Sequence, residues 1–429
     1  MNIVLVTNTY TPHVGGVARS VEAFRREYLA LHHKVIVIAP EFEGMPTHEE
    51  NVLRVRAIQN FNASDFSVVL PVPKGLTQTL EEFGPDIIHS QHPFLLGMTA
   101  IRIARMMKLS LVFTHHTLYE QYTHYVPGDS ALLKKFVVEL ATGYANLADQ
   151  VIAPSESIRD LIIERGVKTP IEVIPTGVNV QNFSNGDGKT CRASHDIPDE
   201  SWVIGHMGRL ALEKNIRFLT GAVELFMKRH RNSYFLVVGE GDKGEFIENQ
   251  FARAGLGKRL VLTGKLEGKN LANAMNAMNV FAFTSKTETQ GMVLTEAMAA
   301  GLPVVALDAA GAREVVRDGI NGRLLKDASE KDFSSALAWV YDRNASERDE
   351  LIEGARKTAR EFSMVRSAEK ALTCFARVQR RCRPEAQDEE KAWEFLLGRI
   401  KNEWEIIRNL ASAGDKALGL HESERSQGD

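Results

Sequence analysis

Two cations in the second half of the chain have the types and spacing that suit a phosphate-containing ligand. Arg209 follows an apolar run that ends in glycine, and Lys214 comes shortly after it. Fixed cations at the end of a strand stabilise the negative charge that develops on a departing diphosphate. A solvated surface pair is the alternative interpretation, and the next motif favours the diphosphate site.

That motif places two carboxylates around a glycine. Glu288 precedes Gly291, and Glu296 follows on a helix that is predicted to begin at Gly291. The first backbone N–H groups of this helix, from Gly291 to Met292 and Val293, would point toward an anion. Carboxylates accept hydrogen bonds from sugar hydroxyls, so one can hold a ribose and the other a second sugar. For Glu296 alone, an exposed helix residue is the alternative.

The candidate site residues in the first half of the chain are glycines and histidines. Gly15 and Gly16 follow the first predicted strand, where a glycine backbone can approach a phosphate closely. A tight turn explains them as well, and the absence of GxGxxG leaves nicotinamide binding without its fingerprint.

His89 and His92 have HxxH spacing, but a metal site needs convergent ligands. We therefore expect polar loop residues there and no metal ion.

The elements that must position these residues alternate along the whole chain. Short β-branched runs are separated by longer amphipathic segments, which predicts parallel sheets covered on both faces. The polar stretch 179–188 divides two such series and is predicted to be a linker. We predict two Rossmann-like, doubly wound α/β domains facing a cleft. Their limits are 1–178 for the first domain and 179–361 for the second, followed by a crossing helix at 362–383 and an amphipathic helical tail at 384–429.

Composition excludes several classes of protein. The 429 residues carry 52 Lys and Arg against 55 Asp and Glu, a net charge of −3, so a strongly basic nucleic-acid binder is not expected. The 3 cysteines form no CxxC pair, and no apolar stretch reaches the length of a membrane span. These features predict a cytoplasmic protein whose membrane contact, if it has one, is peripheral.

One segment of the first half suits such a contact. Lys134 and Lys135 lie between Leu133 and Phe136, a basic and apolar combination typical of helices that dock on anionic membranes. An ordinary core helix with a solvated lysine pair is the alternative. The acidic tail at 384–429 is less suited to anionic lipid, and its apolar stripe is also consistent with packing on the chain itself or with dimer formation.

These residues together resemble a known family. The pattern GRLxxEKN, the two glutamates within TETQGMVLTEAMAAGLPVVA and the paired glycines after the first strand are similar to the retaining GT-B glycosyltransferases of family 4. The resemblance extends from the first strand to about residue 381. It implies a nucleotide-sugar donor held mainly by the second domain, and no cofactor or metal ion.

The resemblance also implies roles for single residues. Arg209 and Lys214 would bind the donor diphosphate, Glu288 the transferred sugar and Glu296 the ribose. The amides of residues 291–293 would meet sugar and phosphate, and Gly264 and Leu266 would flank the base. In the first domain His116, with His115 as the second choice, would contact the donor sugar near the reacting carbon. Gly15, Gly16 and Gln290 complete the implied donor site.

The segment around His116 and the TETQG form resemble the diacylglycerol glucosyltransferase branch. Many family members have Phe at the position of Gln290. The implied reaction moves glucose from UDP-glucose to a diacylglycerol-type lipid at the inner face of the cell membrane. A mannosyl- or other hexosyltransferase with a different acceptor, a nucleotide-sugar 2-epimerase and a sugar-binding protein without catalysis remain alternatives.

Overall fold

The computed structural model describes residues 1–13, 15–47, 49–58, 68–69, 75–121, 130–286, 288–327 and 329–380. The predicted tail at 384–429 and the end of the predicted crossing helix lie outside these residues. The described chain divides into two compact units. The first comprises Met1–Ala153, Arg159–Val173 and the described residues from Leu372 onward, and the second comprises Pro154–Ile158 and Ile174–Ala371.

The first unit is built on a seven-stranded parallel sheet with the order β3-β2-β1-β6-β7-β8-β9. Val4 in β1, an inner strand, lies opposite Ile36 on one side and Ile88 on the other. Because helices cover both faces of a parallel sheet, its strands are continuous apolar runs. The strands are β1 (Asn2–Val6), β2 (Lys34–Pro40), β3 (Val52–Val55), β4 (Ala57–Ile58), β5 (Val68–Val69), β6 (Ile87–Ser90), β7 (Ser110–Thr114), β8 (Gln150–Ala153) and β9 (Ile171–Val173), with β4 and β5 forming a separate antiparallel pair.

The helices of this unit begin where the spacing of apolar residues changes from that of a strand to that of a helix. They are α1 (Gly16–Ala30), α2 (Leu76–Phe83), α3 (Leu96–Met106), α4 (Ala131–Ala145) and α5 (Glu156–Glu164). The Ser130 hydroxyl caps α4 by accepting a hydrogen bond from the Leu133 N–H at 3.1 Å. Such a cap stabilises a helix by about 1 kcal/mol and fixes its first residue.

The second unit contains a six-stranded parallel sheet with the order β12-β11-β10-β13-β14-β15. Apolar side chains fill both of its faces; Phe281 and Phe226, one in each of the two core clusters, are fully buried. Burial of one such side chain contributes roughly 1.5–3 kcal/mol. The strands are β10 (Trp202–Met207), β11 (Ser233–Val238), β12 (Leu260–Leu262), β13 (Val280–Phe283), β14 (Val304–Leu307) and β15 (Gly322–Leu325).

The stretch 179–188, predicted to be a linker, instead contains a helix. The Asn179 side chain accepts a hydrogen bond from the Asn182 N–H at the start of this helix. Phe183 is buried, so this mostly polar segment packs on the protein through one apolar side chain. The helices are α6 (Val180–Ser184), α7 (Gly188–Ser194), α8 (Ile216–Arg229), α9 (Gly244–Arg253), α10 (Gly268–Ala277), α11 (Met292–Ala299), α12 (Ala312–Val315), α13 (Glu330–Tyr341), α14 (Ala345–Glu361) and α15 (Met364–Gln379). The residues of α15 are divided between the two units.

Glycines let the loops after β10 and β11 meet backbone to backbone. The Gly208 N–H donates to the Val238 carbonyl at 3.0 Å, and the Leu210 N–H donates to the Glu240 carbonyl at 2.8 Å. Gly239 has φ of +133°, and a Cβ on it would lie 2.0 Å from the Gly208 carbonyl oxygen. A side chain at position 239 would therefore separate the two loops.

This contact gives the first prediction. Gly239→Ala should lower the free energy of unfolding by at least about 2 kcal/mol, because it adds backbone strain to a clash that no side-chain rotation can relieve. Gly244→Ala is the matched control, since a Cβ there meets only the Leu210 side chain at 3.8 Å. Urea unfolding of both variants measures the difference, and equal stabilities would contradict the contact.

Candidate functional site

The carboxyl edge of the second unit's sheet collects most of the predicted site residues. In a parallel sheet all strands end at the same edge, where ligands of open α/β sheets bind. Arg209 follows β10, Gly264 follows β12, and the segment from Glu288 to Gly291 lies between β13 and α11. Residues distant in sequence are thereby placed on neighbouring loops.

Both predicted cations are held by carboxylates. The Lys214 ammonium forms an ion pair with Glu288, in which both side chains are about one-fifth exposed. Arg209 donates to Glu213 at 2.5 Å, and the Arg209 side chain is 46% exposed. The Arg209 guanidinium is in contact with solvent, and ion pairs open to water contribute roughly 0–1 kcal/mol to stability. An anionic ligand can therefore take the place of Glu213 on Arg209 at little energetic cost.

The main chain fixes the position of Lys214. The Thr284 hydroxyl, directly after β13, donates to the Lys214 carbonyl at 3.1 Å. The side-chain amide of Asn215 donates to the Thr284 carbonyl at 3.4 Å. These contacts place the cation on the loop after β10 beside the end of β13. The structure thus joins Lys214 and Glu288, which the sequence had assigned to different parts of a ligand.

Gly291 begins α11, as the sequence predicts. Its φ of +74° favours glycine, and a Cβ would lie 3.3 Å from the Gly311 carbonyl oxygen. As the N-cap residue, Gly291 has no side chain to offer, and no side chain of the described residues caps this helix, so the N–H groups of Met292 and Val293 can meet an anion. Glu296 is only 4% exposed, which rules out an exposed helix residue as the explanation for it.

Gln290 has a structural task that the sequence did not show. Its side-chain oxygen accepts a hydrogen bond from the Thr176 N–H at 2.7 Å, and its side-chain nitrogen donates to the Thr176 carbonyl. Both residues are buried, so these backbone groups need partners within the protein. A contact between Gln290 and a donor stays a prediction. No local sequence pattern indicates this pairing, because the two residues are 114 positions apart in the chain.

Gly264 and Leu266 lie at the outer side of the same edge. The Gly264 carbonyl accepts from the Gly239 N–H at 2.9 Å, and Gly264 has φ of +68°. Leu266 is partly buried and packs on the core cluster that includes Phe281. The segment is thus fixed next to the loop after β11, and its contact with a base stays a prediction.

His116 lies in the first unit, directly beyond β7. Its Nε2 is 2.7 Å from the side-chain oxygen of the buried Gln91, an acceptor, so Nε2 carries the hydrogen. Burial holds the pKa of His116 well below its usual range, and the ring is neutral near pH 7. Gln91 therefore sets both the tautomer and the direction of the ring. Gln91 was not among the residues predicted from the sequence, where its only signal was its place after a predicted strand.

His89, His92 and His115 are also buried. His89 lies on β6 and its Nε2 is 2.7 Å from the Thr114 hydroxyl, while the His92 Nδ1 accepts a hydrogen bond from the Asn8 N–H at 3.1 Å. Burial lowers the pKa of both imidazoles to about 3. His115, the second choice for the sugar contact, is 3% exposed with a pKa lowered to about 4. Among the described residues, no group of three His, Cys, Asp or Glu side chains could hold a metal ion.

The paired glycines have ordinary backbone conformations. Gly15 precedes α1 with φ of −163°, an extended conformation that any residue adopts, and Gly16 is its first helical residue. Their backbone geometry does not demand glycine. A close approach by a ligand remains the predicted reason for their presence.

The predicted docking helix α4 exposes a different leucine. Leu133 is 5% exposed and belongs to the core, whereas Leu132 is 47% exposed. Lys134 and Lys135 are exposed and Phe136 is half-buried. The prediction that Leu133 is an exposed docking residue is therefore wrong, because the helical turn directs position 133 inward. Leu132 is the exposed leucine of this helix. Within the described residues, no helix has the length and apolar character needed to cross a membrane.

Comparison with known proteins identifies two matching families. Residues 14–182 match "Glycosyltransferase Family 4", and residues 187–358 match "Glycosyl transferases group 1". Together these matches cover most of the chain.

Similar proteins of known name or structure agree with these matches. The alpha-monoglucosyldiacylglycerol synthase of Streptococcus pneumoniae is 29% identical over 79% of this chain and 77% of its own length. The GDP-mannose-dependent alpha-mannosyltransferase of Corynebacterium glutamicum is 27% identical over 80% and 81%. The solved structure of Anabaena HepE in complex with UDP and glucose has a TM-score of 0.71 and 21% identity, covering 88% of this chain and 99% of HepE. The chain belongs to glycosyltransferase family 4 and has the two-domain α/β fold of the GT-B glycosyltransferases.

Proposed function

We propose that this glycosyltransferase moves glucose from UDP-glucose to a diacylglycerol-type lipid and retains the configuration at the anomeric carbon. The observation that carries the proposal is the Lys214–Glu288 pair beside the uncapped N-terminus of α11. It offers a cation and helix N–H groups for a diphosphate, and a carboxylate for sugar hydroxyls. A relative named alpha-monoglucosyldiacylglycerol synthase supports the choice of sugar and acceptor, and a structural neighbour with UDP and glucose supports the donor.

The cations act on the leaving group. As the bond between the anomeric carbon and the diphosphate breaks, negative charge grows on the diphosphate oxygens. Arg209 and Lys214 face that charge from a fixed loop. Each such preorganised group lowers the activation free energy by roughly 2.7–4 kcal/mol. Glu213 and Glu288 keep the two cations in place before the donor arrives.

The remaining predicted residues orient the donor. Glu288 accepts hydrogen bonds from the transferred hexose, and Glu296 accepts them from the ribose. The N–H groups at the start of α11 bind phosphate and sugar, while Gly264 and Leu266 flank the base. His116, held by Gln91, contacts the hexose near the reacting carbon.

The proposed chemistry needs no protein nucleophile and no metal ion. The acceptor hydroxyl attacks the anomeric carbon from the face that the diphosphate leaves. The new carbon–oxygen bond forms as the old one breaks, and the hydroxyl proton passes to the departing diphosphate oxygen. An α-linked product would follow, in agreement with the α-glucosyl product in the name of the relative.

A transfer assay tests donor and acceptor together. The full chain is incubated with radiolabelled UDP-glucose or GDP-mannose, with and without diacylglycerol in phosphatidylglycerol vesicles. We expect label from UDP-glucose in the lipid, and Lys214→Ala should lower this turnover by about two to three orders of magnitude. Lipid label from GDP-mannose would favour the mannosyltransferase alternative, which the Corynebacterium glutamicum relative supports. Free sugar formed without any lipid would favour a 2-epimerase.

The two glutamates should differ in their kinetics. Glu296→Gln should raise the KM for UDP-glucose more than it lowers kcat, because a ribose contact is equal in ground and transition states. Glu288→Gln should lower kcat, because its partner is the reacting sugar and it also holds Lys214. Steady-state kinetics decide the matter, and the opposite order would mean that the roles are exchanged.

Membrane docking by α4 has its own test. Each surface lysine near anionic lipid contributes about 1 kcal/mol, so Lys134→Glu with Lys135→Glu should weaken vesicle binding at least about tenfold. Transfer to lipid should slow accordingly. The control is Lys108→Glu with Lys168→Glu, the same charge change at two other exposed positions of this unit. Sedimentation with phosphatidylglycerol vesicles compares the two, and equal losses would contradict docking by α4.

A further inference from the structure

His206, which the proposed mechanism does not use, lies beneath the loop that carries Arg209. It is the penultimate residue of β10 and is 2% exposed. Its Nδ1 is 3.0 Å from the Ala282 carbonyl oxygen on the neighbouring strand β13. A carbonyl oxygen only accepts, so the hydrogen of the neutral ring is on Nδ1 and the lone pair is on Nε2.

The Nε2 atom of His206 is buried and has no hydrogen-bond partner among the described residues. Burial lowers the pKa of the ring to about 4, so the ring does not relieve this situation by taking a proton near pH 7. Leaving a buried acceptor unsatisfied is unfavourable, and native proteins contain few such groups. The Nε2 atom can therefore accept one hydrogen bond from a donor that comes within reach.

The surroundings of Nε2 point to the candidate site. A Cβ built on Gly208 would lie 3.8 Å from Nε2, so the nitrogen faces the space above the Gly208 backbone, next to Arg209. Lys214 and Glu288 both act on the charge of the ring, the cation lowering the pKa of His206 and the carboxylate raising it. The Lys214 backbone also meets β13 close to His206, because its carbonyl accepts from Thr284, two residues beyond Ala282. The ammonium of this lysine is a strong N–H donor.

We propose that His206 is a positioning residue for Lys214: its Nε2 accepts one N–H of the ammonium, directly or through one ordered water, when the diphosphate is bound. The inference rests on the proposed function, in which Lys214 binds the diphosphate. An ammonium has three N–H donors. Glu288 and His206 would then hold the ammonium from two directions, which orients it toward the diphosphate.

Two substitutions separate this role from a structural one. His206→Asn keeps an amide N–H near the position of Nδ1 for the Ala282 carbonyl but has no atom at the position of Nε2. His206→Gln places its amide at the position of Nε2 and loses the Ala282 contact. A positioning role predicts that the Gln variant keeps UDP affinity within about threefold, while the Asn variant binds UDP about tenfold more weakly. A structural role predicts the reverse order.

Titration calorimetry with UDP on the full chain provides the measurement, with urea unfolding of each variant in parallel. In a Lys214→Met background, His206→Asn should change UDP affinity by less than about twofold, because its effect acts through the ammonium. A tenfold loss that persists in this background would overturn the inference. If the Asn variant does not fold, a Gln variant that folds and binds UDP weakly overturns it equally.

The outcomes also separate this inference from the proposed function. Parental UDP affinity in Lys214→Met alone would contradict the diphosphate site, and with it the proposed function. A loss of affinity in Lys214→Met together with parental affinity in a folded His206→Asn would contradict only the role of His206.

Discussion

The candidate donor site depends on the close backbone contact between the loops after β10 and β11. Gly208 and Gly239 approach so closely that a single methyl group would force them apart. Hydrogen bonds between the two loops then hold the carbonyl and amide groups of residues 208–210 in one conformation. Arg209 lies within this contact, which also borders the space that His206 faces, whereas Lys214 is held by Thr284 at the end of β13.

Two ion pairs orient the cations at this edge before any ligand is present. Arg209 pairs with Glu213 and is 46% exposed, whereas Lys214 and Glu288 are each about one-fifth exposed. In the proposed function, two cations are therefore already oriented when the donor arrives. A diphosphate would then be stabilised without the cost of ordering long side chains at the moment of reaction.

The first unit uses burial in a different way. Its histidines at the ends of β6 and β7 are removed from water, which lowers their pKa values and keeps them neutral near pH 7. A neutral imidazole has one donor and one acceptor, and a buried partner decides which nitrogen has which role. For His116 that partner is Gln91, so the ring has a defined direction without a charge.

The sequence by itself determined the parallel α/β architecture, the glycosyltransferase family and the helix that begins at Gly291, because apolar runs, turn glycines and short motifs are local patterns. The tertiary structure decided which side chains are buried and which hydrogen-bond partners they have. Gln290 pairs with Thr176, Leu133 turns inward where Leu132 is exposed, and Glu296 is buried. The lone pair on the Nε2 of His206 likewise follows from a carbonyl on another strand. Burial and hydrogen-bond partners are set by residues far apart in the chain, and no local spacing encodes them.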